Sequence, residues 1–190
     1  FRLNLINSCT GYKSANLIGT QSKEGKTNLA VFSSITHLGS NPPLIGFVLR
    51  PTTVPRDTYR NLKESSLFTV NHIHYKSVAD AHHTSAKYPE DVSEFSKTDF
   101  EPEYLDGFQA PFVKDAKVRL GCRFLNEYPI KENNTLLLVS EIEAIHIEDG
   151  ILEADGWLNL EHAGSVSING LDGYTKPKLI ERFVYAKPRR

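Results

Sequence analysis

The chain has 190 residues, 39% of them apolar and 24% charged, with 22 Lys and Arg against 23 Asp and Glu for a net charge of −1. That length suits one domain over residues 1–190 with a sizeable core, and the composition excludes a disordered chain. Balanced charge argues against a nucleic-acid binder, no apolar run reaches the length of a membrane-spanning helix, and no signal-peptide pattern opens the chain. In chain order, residues 16–20 form a short apolar run, and residues 28–35 (NLAVFSSI) read as a strand rich in branched and aromatic side chains. A turn at Gly39-Ser40-Asn41-Pro42-Pro43 leads into residues 44–49 (LIGFVL), a continuous apolar run that suits a strand buried on both faces. Residues 57–65 (DTYRNLKES) predict a helix with Tyr59 and Leu62 on one face and Asp57 or Thr58 as its N-cap. Residues 67–73 alternate as a strand, 77–86 read as a short helix capped by Ser77, and 92–96 add a turn or two of helix. Strands recur at 117–124, 135–147 and 181–186 (ERFVYA), separated by turns such as Asn133-Asn134, Asp149-Gly150 and Asp172-Gly173. Seven strands with only short helices predict a mainly β, antiparallel barrel.

Several stretches resemble known chemistry and fail on spacing or context. Gly19-Thr-Gln-Ser-Lys-Glu-Gly25-Lys26-Thr27 has five residues between its glycines where a phosphate-binding P-loop has four, and it runs into a strand rather than a helix. Residues 22–26 read better as a polar hairpin turn. His72 and His74 would share one strand face, with His82 and His83 close behind, but no third ligand stands at a metal-site spacing, and no metal is expected. Ala163-Gly164-Ser165-Val166-Ser167 lacks the second glycine of a nucleophile elbow, and no Gly-x-Gly-x-x-Gly dinucleotide fingerprint occurs. Cys9 and Cys122 form neither a disulfide framework nor a zinc pattern; both are expected as buried small hydrophobes in a chain of the reducing cytoplasm.

Residues 50–58 (RPTTVPRDT) hold two arginines and three threonines leading into the predicted helix. Guanidinium forks, hydroxyls and helix-start amides make an anion cradle; the same residues also suit a polar loop capping a barrel.

The order of NLAVFSSIT, NPPLIGFVLRP, RDTYRNLKESSLFTVN, HTSAKYPEDVSEF and GLDGYTKPKLIERFVYAKP resembles the flavin reductase-like family of FMN-binding split barrels, over residues 11–188. The resemblance implies a six-stranded antiparallel Greek-key split barrel with a few short helices. It also implies a homodimer with one FMN near each interface. It assigns the flavin ring to the loop after the strand, hence to Asn28, Phe32, Ser33, Ser34, Ile35 and Thr36. The phosphate role falls on Arg50, Arg56 and Thr58 at the helix start and on Ser85 and Lys87 of HTSAKYP, and Tyr174 of GLDGY is placed near a flavin of its own or of the partner chain. Ser33-Ser34 stands where many relatives carry an aromatic residue, a departure that bears on ring stacking and on room for a substrate. The implied activity is that of an FMN-dependent oxidoreductase, an NAD(P)H:flavin reductase taking hydride from NADH or NADPH. The alternatives are an FMN-holding electron carrier or oxygenase partner, and a non-catalytic binding module. Flavin carries the redox chemistry in such proteins, so no catalytic side chain is named.

Overall fold

The computed structural model describes residues 1–51 and 53–188. Among these residues three helices, α1 (Arg2–Ser8), α2 (Asp57–Ser65) and α3 (Val78–His83), accompany twelve strands. The strands are β1 (Lys13–Ser14), β2 (Asn16–Gln21), β3 (Thr27–Phe32), β4 (Thr36–Ser40), β5 (Pro43–Leu49), β6 (Leu67–His72), β7 (Pro102–Glu103), β8 (Phe112–Val113), β9 (Val118–Ile130), β10 (Thr135–Ile147), β11 (Ser167–Asn169) and β12 (Gly173–Thr175). Single 3-10 turns lie at Tyr75–Ser77 and Glu94–Lys97. Seven strands make the main antiparallel sheet in the order β3-β2-β6-β9-β10-β5-β4; β1, β11 and β12 form a small second sheet.

Strand order and one short connector dictate the closure of the main sheet. β3 and β4 stand at opposite edges, yet only Ser33, Ser34 and Ile35 join them. Laid flat, seven strands at about 4.8 Å spacing would separate those edges by about 29 Å. The connector, fully extended, spans at most about 14 Å. The sheet therefore curls into a barrel, split along the line where the connector crosses.

Inside the barrel, Ile18, Phe47, Leu49, Phe68, Val70, Cys122 and Leu138 pack with Leu62 of α2. Phe47 meets Phe32 and Phe68 edge-on, with ring centroids 5.4 and 5.5 Å apart. β3 alternates with the period of two that a strand imposes. Its Phe32 joins this interior, whereas Leu29 and Val31 join a second cluster with Leu17, Ala81, Phe95 and Val113.

The main sheet has seven strands rather than six, because the stretch around 36–40, read as leading into a turn, pairs with β5 as β4. The strand expected at 181–186 does not form. Residues 176–188 carry no regular structure, and Ile180, Phe183, Val184 and Tyr185 are 82–99% exposed. ERFVYA has strand chemistry, but a strand needs a backbone partner and the tail pairs with none of the described strands. Cys9 is exposed rather than buried; Cys122 is buried as expected, and both are free thiols. The N-cap of α2 is Arg56, one residue before Asp57, because the first helical bond runs from the Arg60 N–H to the Arg56 carbonyl at 3.0 Å. Ser77 is the N-cap of α3, but its side chain makes no capping bond. The hairpin at 22–26 is as expected: the Ser22 N–H bonds the Lys26 carbonyl at 2.9 Å, and Gly25 sits at φ +86°.

Candidate functional site

The start of α2 is set against β2 and β3 by a buried polar network. Asn28 Nδ2 donates to Thr58 Oγ1 at 3.1 Å and to Thr20 Oγ1 at 3.3 Å, and Asn61 Nδ2 donates to Thr20 Oγ1 at 3.1 Å. Buried polar groups favour pairing, and this network, in which Asn61 Oδ1 alone is left without a partner among the described residues, seats the helix against the sheet. Asn28 thus acts on Thr58 and on the seat of α2. The Thr58 hydroxyl accepts from Asn28 and keeps its own proton to donate.

Arg56 carries no side-chain cap to the first turn, so its N–H donors are left for another acceptor. The Arg56 Nε–H donates to the Pro51 carbonyl at 3.3 Å, which turns the guanidinium back toward the 50–55 loop. Burial, and then the charge of Arg50 nearby, hold Arg56 below its ordinary pKa. Among the described residues neither arginine meets a carboxylate within salt-bridge distance. Asp57, adjacent in sequence, is engaged by Arg60 Nη2 at 2.6 Å. The Arg56 guanidinium, bonded once to the Pro51 carbonyl, and the exposed Arg50 stand beside an uncapped helix start, donors of the kind an anion takes. Thr52, the first of the loop's threonines, lies outside the described residues; Thr53 is exposed.

The connector at the split of the barrel is clasped on both sides. Ser34 Oγ donates to the Val48 carbonyl at 3.1 Å and accepts from the Val48 N–H at 3.0 Å, tying the connector to β5. Ser14 Oγ donates to the Ile35 carbonyl at 2.9 Å, tying it to the segment before β2. Phe32 and Ile35 pack against the barrel interior, Ser33 is half-buried with no side-chain hydrogen bond among the described residues, and Thr36 is exposed. Ser34 is therefore a clasp, and Ser33 is the serine whose hydroxyl has no partner among the described residues.

The remaining expected residues make other contacts. Tyr174 packs on the second cluster, its hydroxyl 3.4 Å from His82 Nδ1, and Ser85 Oγ donates to the His82 carbonyl at 2.7 Å. Among the described residues, no hydrogen bond or ion pair links Ser85 or Tyr174 to Arg50, Arg56 or Thr58. Lys87 is exposed and forms no ion pair with Glu90, which pairs with Arg60 of α2 instead. That pair draws the segment just after Lys87 to the first turns of α2.

A cavity of about 540 Å³ opens beside the connector, walled in part by Ser14, Asn16, His72, Trp157, Leu160 and Leu179. Of these, only His72 stands out in sequence, as half of a His-x-His pair. The partner it meets is a serine, Ser165 Oγ at 3.3 Å from Nδ1. Burial holds the His72 pKa down at about 4, so the ring is neutral at pH 7.

Known proteins share this fold. A structure from Shewanella frigidimarina, assigned as a flavin reductase with split barrel domain, is 41% identical and superposes with a TM-score of 0.94, covering 97% of this chain and 92% of that one. Nitrilotriacetate monooxygenase component B from Bacillus cereus is 25% identical with a TM-score of 0.85, again over 97% and 92% of the two chains. An uncharacterized Aquifex aeolicus protein is 28% identical over 161 residues, 84% of this chain and 81% of its own length. The model of the flavin reductase like domain matches residues 12–171, from just before β1 to just before β12. With that match spanning the whole barrel, the chain belongs to the flavin reductase-like family and is a flavin-related oxidoreductase.

Proposed function

We propose that the chain binds FMN and acts as an NAD(P)H:flavin reductase. The observation that carries the reading is the pair Arg50 and Arg56, without a carboxylate partner among the described residues, at the uncapped start of α2. The half-buried Arg56 feels the charge of the exposed Arg50, an anion would offset that repulsion, and a flavin mononucleotide ends in a phosphate. In this reading Arg50, Arg56 and the Thr58 hydroxyl hold the phosphate, and Lys87 reaches it from the segment anchored by Glu90. Ser33 and Thr36 face the flavin ring, with Phe32 and Ile35 anchoring the connector in the barrel interior and Ser34 and Asn28 fixing the elements that carry them. Bound there, flavin supplies the hydride-accepting and electron-donating chemistry.

The Bacillus cereus relative is named as a component of a monooxygenase, which supports a second reading: an FMN-holding partner that passes electrons to a separate oxygenase. The free thiols support a reducing compartment, and the proposal places the chain in the cytoplasm as a homodimer.

The test is a titration of parent and Arg56→Ala with FMN and with riboflavin. A charge-assisted hydrogen bond contributes roughly 1.5–3 kcal/mol, so Arg56→Ala should bind FMN about tenfold to a hundredfold more weakly and riboflavin unchanged. Equal loss for both ligands, or none for either, removes Arg56 from a phosphate site. Steady oxidation of NADH or NADPH with free FMN as acceptor supports the reductase; a single turnover without a partner oxygenase supports the carrier.

A further inference from the structure

The cavity beside the connector has a wall of mixed character. Its volume, about 540 Å³, falls in the range of small-molecule sites, about 300–1,000 Å³. The lining is largely apolar, with Trp157, Leu158, Leu160, Val166 and Leu179. The charged groups there are already engaged or lie at the rim. The Lys13 ammonium donates to the carbonyls of Asn7 and Gly170, each at 3.0 Å, the Glu161 carboxylate accepts the Leu179 N–H at 2.8 Å, and Lys178 is exposed.

His72 is the group available within. Its Nδ1 lies 3.3 Å from Ser165 Oγ, and among the described residues no hydrogen bond takes up Nε2. A neutral imidazole offers one donor and one acceptor, and the serine hydroxyl serves either tautomer. His72 therefore meets a carbonyl or a hydroxyl equally well. It stays uncharged at pH 7, so it gives a carboxylate no compensating charge.

The cavity also borders the connector. Ser14 lines it and holds the Ile35 carbonyl, and Asn16 lines it while standing opposite Phe32 in the β2–β3 register. We propose that this cavity is a second ligand site, distinct from that of flavin, for a small, uncharged, mostly apolar molecule whose carbonyl or phenolic hydroxyl bonds His72. Naming the occupant as the partner of a flavin reaction rests on the flavin reading; the binding site itself does not.

Trp157 is the only tryptophan in the chain and lines the cavity, so its emission reports occupancy without any flavin chemistry. The experiment titrates acetophenone, and separately benzoate, into the full chain, flavin-free and FMN-loaded, following Trp157 emission and calorimetric heat. The expected result is saturable acetophenone binding in both forms, with benzoate at least tenfold weaker. His72→Phe keeps the bulk of the ring and removes its hydrogen bond, and should weaken acetophenone about threefold to tenfold. Leu160→Phe narrows the cavity from its exposed rim and should weaken acetophenone whatever His72→Phe does to the fold.

An absence of saturable acetophenone binding, or unchanged binding in both variants, overturns the proposal. So does mutual exclusion of acetophenone and FMN, which would make the cavity part of the flavin site. Acetophenone binding in a chain that takes up no FMN would uphold the cavity and sink the flavin reading, so the two failures are distinguishable.

Discussion

A methyl group at position 19 has no room. An ideal Cβ on Gly19 would lie 2.2 Å from the Pro111 carbonyl oxygen and 2.7 Å from Thr69 Oγ1, which itself donates to that carbonyl at 2.6 Å. Gly19→Ala must push the loop at 111 away from β2 and β6. The expected cost is about 1–3 kcal/mol, seen as a lower urea midpoint at unchanged slope; a variant as stable as the parent would contradict the packing argument. This glycine explains why a P-loop-like string appears in the sequence at all: Gly19 makes room for a neighbouring carbonyl and Gly25 supplies a positive φ in a hairpin. His72 makes a prediction in pH. Its folded pKa of about 4 lies below the ordinary 6.5, so the unfolded chain takes up the proton first. The stability that depends on neutral His72 is complete above about pH 6.5 and is lost as pH falls toward 4, a total of about 3 kcal/mol. His72→Gln should flatten the stability difference across that window relative to parent, measured by denaturation at stepped pH. Equal slopes would show that burial of the imidazole is not what matters. The sequence displays His72 plainly but not its surroundings, because Ser165 lies 93 positions away.

β3 is an edge strand, and its open side is closed by side chains rather than by another strand. The Leu29 N–H bonds Glu94 Oε2 at 3.0 Å, and Thr27 Oγ1 shares a hydrogen bond with Ser93 Oγ at 2.8 Å. The 3-10 turn at Glu94–Lys97 thereby covers an edge that would otherwise invite pairing with another chain. Desolvation raises the Glu94 pKa, the expected sign for a carboxylate used inside the fold. Glu94→Ala should lose about 1–2 kcal/mol and speed amide exchange at Leu29, while Glu94→Gln, which keeps a carbonyl acceptor, should retain most of both. Similar behaviour of the two variants would mean that the carboxylate's charge, and not its acceptor oxygen, holds the edge. At this scale the sequence was informative where periodicity was strong: α2 and β10 begin and end where the pattern places them. β4 was missed because THLGS has little apolar content and owes its existence to a neighbour, β5, that the barrel's closure brings alongside. The tail fails in the opposite sense, with a good strand pattern and no strand to pair with among the described residues.

The exposed tail and α1 together leave much apolar surface uncovered. Ile180, Phe183, Val184 and Tyr185 stand in solvent, as do Leu3, Leu5 and Ile6 of α1. Monomeric proteins rarely leave so many large apolar side chains open, which is the physical support for a second copy of this chain as their cover. Sedimentation should find a dimer at micromolar concentration. Phe183→Asp with Tyr185→Asp should yield a folded monomer, because both side chains are free of the chain's own core; a parent that sediments as a monomer ends the dimer reading. The whole-molecule features were the least legible in sequence. The cavity is assembled from Ser14, His72, Trp157 and Leu179, and no local pattern spans such separations. The tail also joins two of these features mechanically. Its residues 177–179 wall the cavity while partly exposed, pinned by the Leu179 N–H on Glu161, and the almost fully exposed Ile180 is the next residue. Whatever grips positions 180–185 therefore also steadies the cavity's wall. By thermodynamic reciprocity, an occupant that favours the pinned wall must strengthen that grip by the same factor by which the grip strengthens the occupant.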